Sequence, residues 1–292
     1  MPDPSHTGGA VSSAHTNVLN PERPARIVET RRRLRDAADL SLRWVEADAA
    51  PEPAILRVHT PRHLARLLEP FDFDPNTPWH HGIGDVARLA AGAALQAVAA
   101  ARAGEPAFSL MRPPGHHARP ERAMGFCYLG NAAIAALASV AVGVGGAGRV
   151  AVFDFDVHHG NGTEEVLVDR PDLAYVSVHR SPGFPGTGRE DRGANCFNHP
   201  VVPRAPRAVY REALERALGR LAAFRPDLVI VSAGFDAYAL DPIGKENLDV
   251  EDFFWLGRRL RELGAPACHL LEGGYSDELP ELVLAYLRGL AV

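Results

Sequence analysis

Arg149-Val150-Ala151-Val152-Phe153-Asp154-Phe155-Asp156-Val157-His158-His159-Gly160-Asn161-Gly162 is the stretch whose reading decides the fold. Its apolar first half reads as a buried strand. Asp154, Asp156 and His158 recur at every second residue, so on extended chain they project to one side. Two carboxylates and an imidazole gathered at the end of a buried strand are costly unless something compensates their charge. A divalent metal ion is the expected compensation. Oxygen ligands with one imidazole and no nearby thiolate suit zinc, or a neighbouring first-row ion, in a catalytic site.

Four further β-rich runs share this design: Ala107–Met111, Leu173–Val178, Leu228–Ser232 and Ala267–Leu271. Ala/Leu/Arg-rich stretches with helical spacing lie near 84–103, 129–142, 206–224, 250–264 and 278–290. Strand, loop and helix in repetition predict an α/β fold, with a mostly parallel sheet covered on both faces. No composition break divides the chain, so residues 21–292 read as one domain behind a loose, Ser/Thr/Gly/Pro-rich lead-in over 1–20. Ligands of such folds bind at the carboxyl ends of the strands. All five runs are followed there by unusual polar sequence: Arg112-Pro113-Pro114-Gly115-His116-His117, the metal-ligand stretch, His179–Gly188, Ala233-Gly234-Phe235-Asp236 and Glu272-Gly273-Gly274-Tyr275.

A catalytic metal needs about three protein ligands and an open position. Asp156 and His158 supply two, and Asp236 is the best third, its bland alternative being a helix N-cap. His116 and His117 form an acid/base pair, since imidazole titrates nearest neutrality. Tyr275, after two glycines, is placed to donate to a developing oxyanion, or else simply packs its ring. His80-His81 follow no apolar strand and receive no role. Gly143–Gly148 matches a dinucleotide fingerprint but precedes a strand, so it reads as a turn. Ser232 lacks the preceding glycine of a nucleophile elbow and reads as a strand end.

Composition narrows the function classes. Net charge is −5 over 292 residues, with no global attraction to nucleic acid or anionic lipid. The basic cluster Arg31–Arg35 reads as a solvated helix face. Three widely spaced cysteines (Cys127, Cys196, Cys268) with no Cys-x-x-Cys pair argue against a disulfide framework or a cysteine zinc site and fit a reducing cytosol. No signal pattern and no apolar run approaching a membrane span is evident, so a cytoplasmic protein is expected.

Together, Pro-Gly-His-His (114–117), Asp-x-Asp-x-His-His-Gly-Asn-Gly-Thr (154–163), Ser-Ala-Gly-Phe-Asp (232–236) and Glu-Gly-Gly-Tyr (272–275) resemble the histone deacetylase and acetylpolyamine amidohydrolase superfamily, of arginase–deacetylase fold. The match begins at Asn20-Pro21-Glu22-Arg23-Pro24 and reaches the final helix; Asn161 and Glu272 resemble the class II and bacterial branch. The resemblance implies a three-layer domain with about eight strands. It implies zinc on Asp156, His158 and Asp236, His117 as general base and acid, His116 with Asp154 as an electrostatic partner, and Asn161 orienting His117. Tyr275 would polarise the scissile carbonyl. Gly125, Phe126 and Phe184 would line an acyl-lysine-type tunnel. A structural potassium ion would use Asp154, the carbonyls of Asp156 and His158, Ser177 and the carbonyl of Val178. The implied substrate is an acetylated amine: acetyl-lysine in protein or peptide, a polyamine or another small amide. Two departures concern the substrate. Asn76-Thr77-Pro78 has a neutral amide where the family usually has Asp, with Asp74 nearby as a substitute, and residues 189–195 are altered. The alternatives are an arginase-like dinuclear manganese hydrolase, which Asn161 and the lack of an acidic neighbour at Asp236 disfavour, and a catalytically silent binding module.

Overall fold

The structure is a computed structural model and describes residues 20–140 and 148–292. The expected lead-in over 1–19 and most of the Gly143–Gly148 turn therefore lie outside the described residues. Six parallel strands form one sheet: β1 (Ala107–Ser109), β2 (Val150–Asp154), β3 (Leu173–Arg180), β4 (Cys196–Val201), β5 (Leu228–Ala233) and β6 (Ala267–Leu271), in the order β1-β6-β5-β2-β3-β4. The helices are α1 (Ala25–Arg35), α2 (Glu52–Ile55), α3 (Pro61–Arg66), α4 (Ile83–Arg102), α5 (Asn131–Val140), α6 (Asn161–Leu167), α7 (Arg207–Phe224), α8 (Val250–Glu262) and α9 (Leu279–Ala291).

The alternation of the central strand builds two cores. Ala151, Phe153 and Phe155 pack into the layer of α1, α7, α8 and α9, while Val150 and Val152 pack with α2 to α5. Each fully buried Val or Phe contributes about 1.5–3 kcal/mol. With both faces covered, the polar residues that follow the strands gather, largely buried, where the strand C-termini meet. The three-layer α/β expectation holds, but the described residues give six strands, not about eight. β4 was not among the five runs because Cys-Phe-Asn-His-Pro-Val mixes polar residues and a proline, which an edge strand tolerates.

α4 corrects another expectation. Its 20 residues, at mean hydropathy 1.3, are long and apolar enough to cross a membrane, yet half of that window is buried in the protein. It packs on α5, β1 and β6, and on another side Gly92 lets the segment 48–50 approach so closely that a Cβ there would meet Asp48 O at 1.7 Å. This is the behaviour of a core helix.

Candidate metal centre and active site

Every strand end between β1 and β3 sends chemistry to the same place. Asp156 and His158 follow β2, and Asp236 follows β5, its hydrogen-bonded neighbour in the sheet. One ligand atom from each of these three lies within 4.8 Å of the others, and all three residues are buried. His158 Nδ1 is 3.1 Å from Asp156 Oδ1 and 2.9 Å from Asp236 Oδ2. Asp236 is not a helix N-cap: α8 begins at Val250 and is capped by Asp249.

Backbone N–H groups fix the carboxylates from behind. Asp156 Oδ2 accepts from Gly273 N (2.7 Å), Asp156 Oδ1 from His158 N (2.9 Å), and Asp236 Oδ1 from Val157 N (2.9 Å). Asp236 Oδ2 is buried without a hydrogen bond. Burial and the Asp156 charge push the Asp236 carboxyl up to about 7, whereas on His158 the neighbouring Asp236 and Asp156 outweigh burial and raise the imidazole to about 9. Such crowding of two carboxylates on one imidazole is what a divalent cation relieves, so the donor set fits the ion implied by the sequence.

Glycine is obligatory around this cluster. A Cβ on Gly273 would sit 2.5 Å from both Asp156 Oδ2 and Asp236 Oδ2. Gly273→Ala must therefore displace a carboxylate, at a cost of about 1–3 kcal/mol. The expected result is a variant that folds but retains far less metal per chain by elemental analysis. Full metal content would show that the cradle yields.

The His pair after β1 is asymmetric. His116 Nδ1 donates to Asp154 Oδ2 (3.1 Å), while His117 Nδ1 donates to Asn161 Oδ1 (2.9 Å). Burial disfavours charge on His116, but Asp156 and Asp154 prevail and raise it to about 10. His117 is driven well below the ordinary imidazole range by burial and by the charges of His116 and His158. Two adjacent rings, 3.9 Å apart, thus hold opposite protonation preferences. Asn161 is committed to His117, and so is not a spare acidic ligand for a second ion.

Gly125, Phe126 and Phe184 gather around this pair. The Phe184 ring stands edge-on to His117 at 5.0 Å, and a Gly125 Cβ would lie 2.5 Å from His117 Cδ2 and 3.0 Å from Phe184 Cε1. Tyr275 packs its ring 5.8 Å from Phe126, with the Arg26 guanidinium 4.7 Å from the ring centre. It precedes α9 and starts no helix; its N–H donates to Asp241 Oδ2 at 2.7 Å, and burial holds its phenol far above the usual range. Asn76 is exposed beside this wall: Thr77 Oγ1 accepts from Phe126 N (3.2 Å), and Asp74 Oδ1 is engaged by Asn76 N (2.9 Å). Of the residues assigned to potassium, Asp154 and Ser177 are register partners on β2 and β3, and the Ser177 hydroxyl contacts His179 Nδ1 at 2.8 Å. Val178 is buried one residue on. His80 lies apart, its ring 6.2 Å from that of Tyr128.

Several residues without an assigned role support the site. Glu272 Oε2 accepts from Gly115 N (2.7 Å) and His116 N (3.2 Å), and its Oε1 accepts from the Ser232 hydroxyl (3.1 Å). Arg26 donates to Gly274 O and Glu272 O, both at 2.6 Å. Glu22 joins Arg26 to Arg112, the residue that opens the His-pair loop. Both arginines hold the Glu22 carboxyl below its ordinary range despite its burial. His159 Nδ1 contacts Thr187 Oγ1 at 2.7 Å and so ties down the loop that carries Phe184. The only signal for Glu22, Arg112, His159 and Glu272 was membership of a motif, and Arg26 had none; pairing over 90 residues of chain leaves no trace in one sequence.

Comparison with known proteins identifies the family and the fold. The sequence profile of the histone deacetylase domain matches residues 20–290. A histone deacetylase-like amidohydrolase of Pseudomonas aeruginosa is 38% identical over 274 residues, covering 85% of this chain and 72% of that protein. An uncharacterized protein of Synechocystis sp. is 39% identical over 289 residues, 94% of each chain. The solved structure of an acetylpolyamine aminohydrolase from Burkholderia pseudomallei superposes with a TM-score of 0.83 at 32% identity, over 93% of this chain and 91% of that one.

Proposed function

Because the chain belongs to the histone deacetylase family, we propose that it is a zinc-dependent amidohydrolase that removes the acetyl group from an acetylated primary amine. The observation that carries the reading is the pair of adjacent, oppositely tuned histidines at the edge of a buried Asp-His-Asp cluster. Asp156, His158 and Asp236 would hold the ion, which when bound lowers the pKa of water and polarises a carbonyl. His117, with Nδ1–H given to neutral Asn161, keeps Nε2 free to accept the proton of the attacking water. The same atom returns it to the amine nitrogen as the C–N bond breaks, releasing acetate and a free amine. His116 stays charged beside Asp154 and stabilises the negative charge that develops nearby. Tyr275, still protonated at neutral pH, donates its phenolic hydrogen to the oxyanion. In this reading Gly125, Phe126 and Phe184 wall the acyl chain, and Asn76 meets the rest of the substrate with a neutral amide. A potassium ion on Asp154, Ser177 and the carbonyls of Asp156, His158 and Val178 belongs to the same proposal, as does a cytoplasmic setting, supported by three buried free thiols.

Relatives include both a deacetylase-like enzyme and acetylpolyamine amidohydrolases, so acetyl-lysine peptides and acetylpolyamines are the substrates to compare. Zinc-loaded protein is expected to release one acetate per amine freed from at least one of them. If folded, metal-replete protein turns over neither class nor any other acylated amine, the proposal fails.

A further inference from the structure

We infer that His116, Cys127 and Glu272 form a second metal site, adjoining the first, which takes a thiophilic divalent ion such as zinc or cobalt and arrests turnover when it fills. All three residues are buried, and one ligand atom from each lies within 4.8 Å of the other two. Some point is then within about 2.8 Å of all three atoms, and bond lengths of about 2.0–2.3 Å require each ligand to move inward by roughly half an ångström. His, Cys and a carboxylate are all ordinary zinc ligands.

The present bonds of these groups leave room for an ion. Cys127 Sγ–H makes a weak donation to Gly125 O, at 3.3 Å, and the His117 backbone N–H is a second weak partner of the sulfur. Glu272 uses three acceptor positions on Gly115 N, His116 N and the Ser232 hydroxyl, and a carboxylate has about four. His116 keeps Nδ1 on Asp154, and its other ring nitrogen, 3.8 Å from Asp156 Oδ1, becomes a ligand by giving up its proton to the incoming dication. On binding, the Cys127 thiol proton and the proton on the second ring nitrogen of His116 pass to solvent; one Sγ–metal, one N–metal and one carboxylate O–metal bond form, with no change in oxidation state. The charge balance also permits both sites to fill. Two dications would share Asp154, Asp156, Asp236, Glu272 and the Cys127 thiolate, five anions within one buried cluster.

A sulfur ligand separates this site chemically from the first, whose three ligands are oxygen and nitrogen. It favours borderline-soft ions over magnesium or manganese. Arrest follows because the ion occupies the His116 nitrogen; that consequence rests on the role proposed for His116, whereas binding itself does not.

The test uses full-length protein holding one equivalent of zinc, titrated with cobalt(II). A near-ultraviolet thiolate-to-cobalt charge-transfer band is expected to grow with the second equivalent while turnover falls roughly a hundredfold, the scale of one acid–base group. Cys127→Ser is expected to abolish the band and the inhibition and to keep basal turnover; Cys127→Ala serves if serine destabilises this buried position. A double Cys196→Ser, Cys268→Ser variant is expected to keep the band. No band in the wild-type protein, or a band that survives in both Cys127 variants, overturns the site. Constant turnover while the band grows overturns its inhibitory role. Because the band does not depend on turnover, its outcome is separate from that of the deacylation assay.

Discussion

His117→Ala is expected to lower kcat by roughly three orders of magnitude, within the range for a general acid–base residue, with little change in fold or metal content. The size follows from position. His117 Nδ1 is fixed on the neutral Asn161, and Phe184 packs edge-on against its ring. His116 does not substitute, because Asp156 and Asp154 hold its proton on, with a pKa of about 10. The same asymmetry sets the pH dependence. A base whose pKa is lowered stays neutral until the pH falls past that lowered value, so the acidic limb of kcat/KM is expected below 6.5, the ordinary imidazole value. In His117→Ala that limb disappears. Circular dichroism and zinc content come first; a folded, zinc-loaded variant with near wild-type kcat would remove His117 from the proton-transfer role.

Asp236→Asn is expected to act through the metal. Replacing one of two anionic ligands weakens ion binding, and activity falls roughly a thousandfold or more at limiting zinc, since the lost Lewis acidity is worth several kcal/mol. Stability separates this effect from misfolding. Wild-type protein is expected to gain about 4 kcal/mol when zinc is a thousandfold above its Kd. In Asp236→Asn, added zinc raises Tm far less. Without metal the order reverses. Asp236 is a carboxyl whose folded pKa, about 7, lies above its usual 3.8, so its contribution to stability is full below 3.8 and is lost as the pH rises through 7. The neutral amide avoids that loss and can still accept from Val157 N. Metal-free Asp236→Asn is therefore expected to be no less stable than metal-free wild type above pH 7. A variant that unfolds with and without zinc would make Asp236 a structural residue.

The local patterns were legible wherever one segment carries its own reason. Apolar β-branched runs ending in Asp, His or Gly mark strands, and all five runs read from sequence are strands whose ends meet at one edge. The five helical stretches correspond closely to α4, α5, α7, α8 and α9. β4 escaped because an edge strand need not be apolar, and α4 escaped as an apolar stretch because scattered charges interrupt a core helix that is rich in alanine.

The site divides in the same way. Asp154, Asp156 and His158 share one segment, so a period of two in the sequence already places them together. Glu22, Arg26, Arg112, Glu272 and His159 support the site through partners that are remote in sequence, such as Arg112 on Glu22 and Arg26 on Gly274.

By itself, the sequence determined which residue types stand at the strand ends, because backbone periodicity and strand burial are local properties. Only the tertiary structure decided which of those ends are neighbours, which histidine receives a carboxylate and which an amide, and that His116, Cys127 and Glu272 come together in one buried cluster. Those facts depend on distances between segments, and a distance across the sheet edge is set by strand order and packing rather than by any residue's own preference.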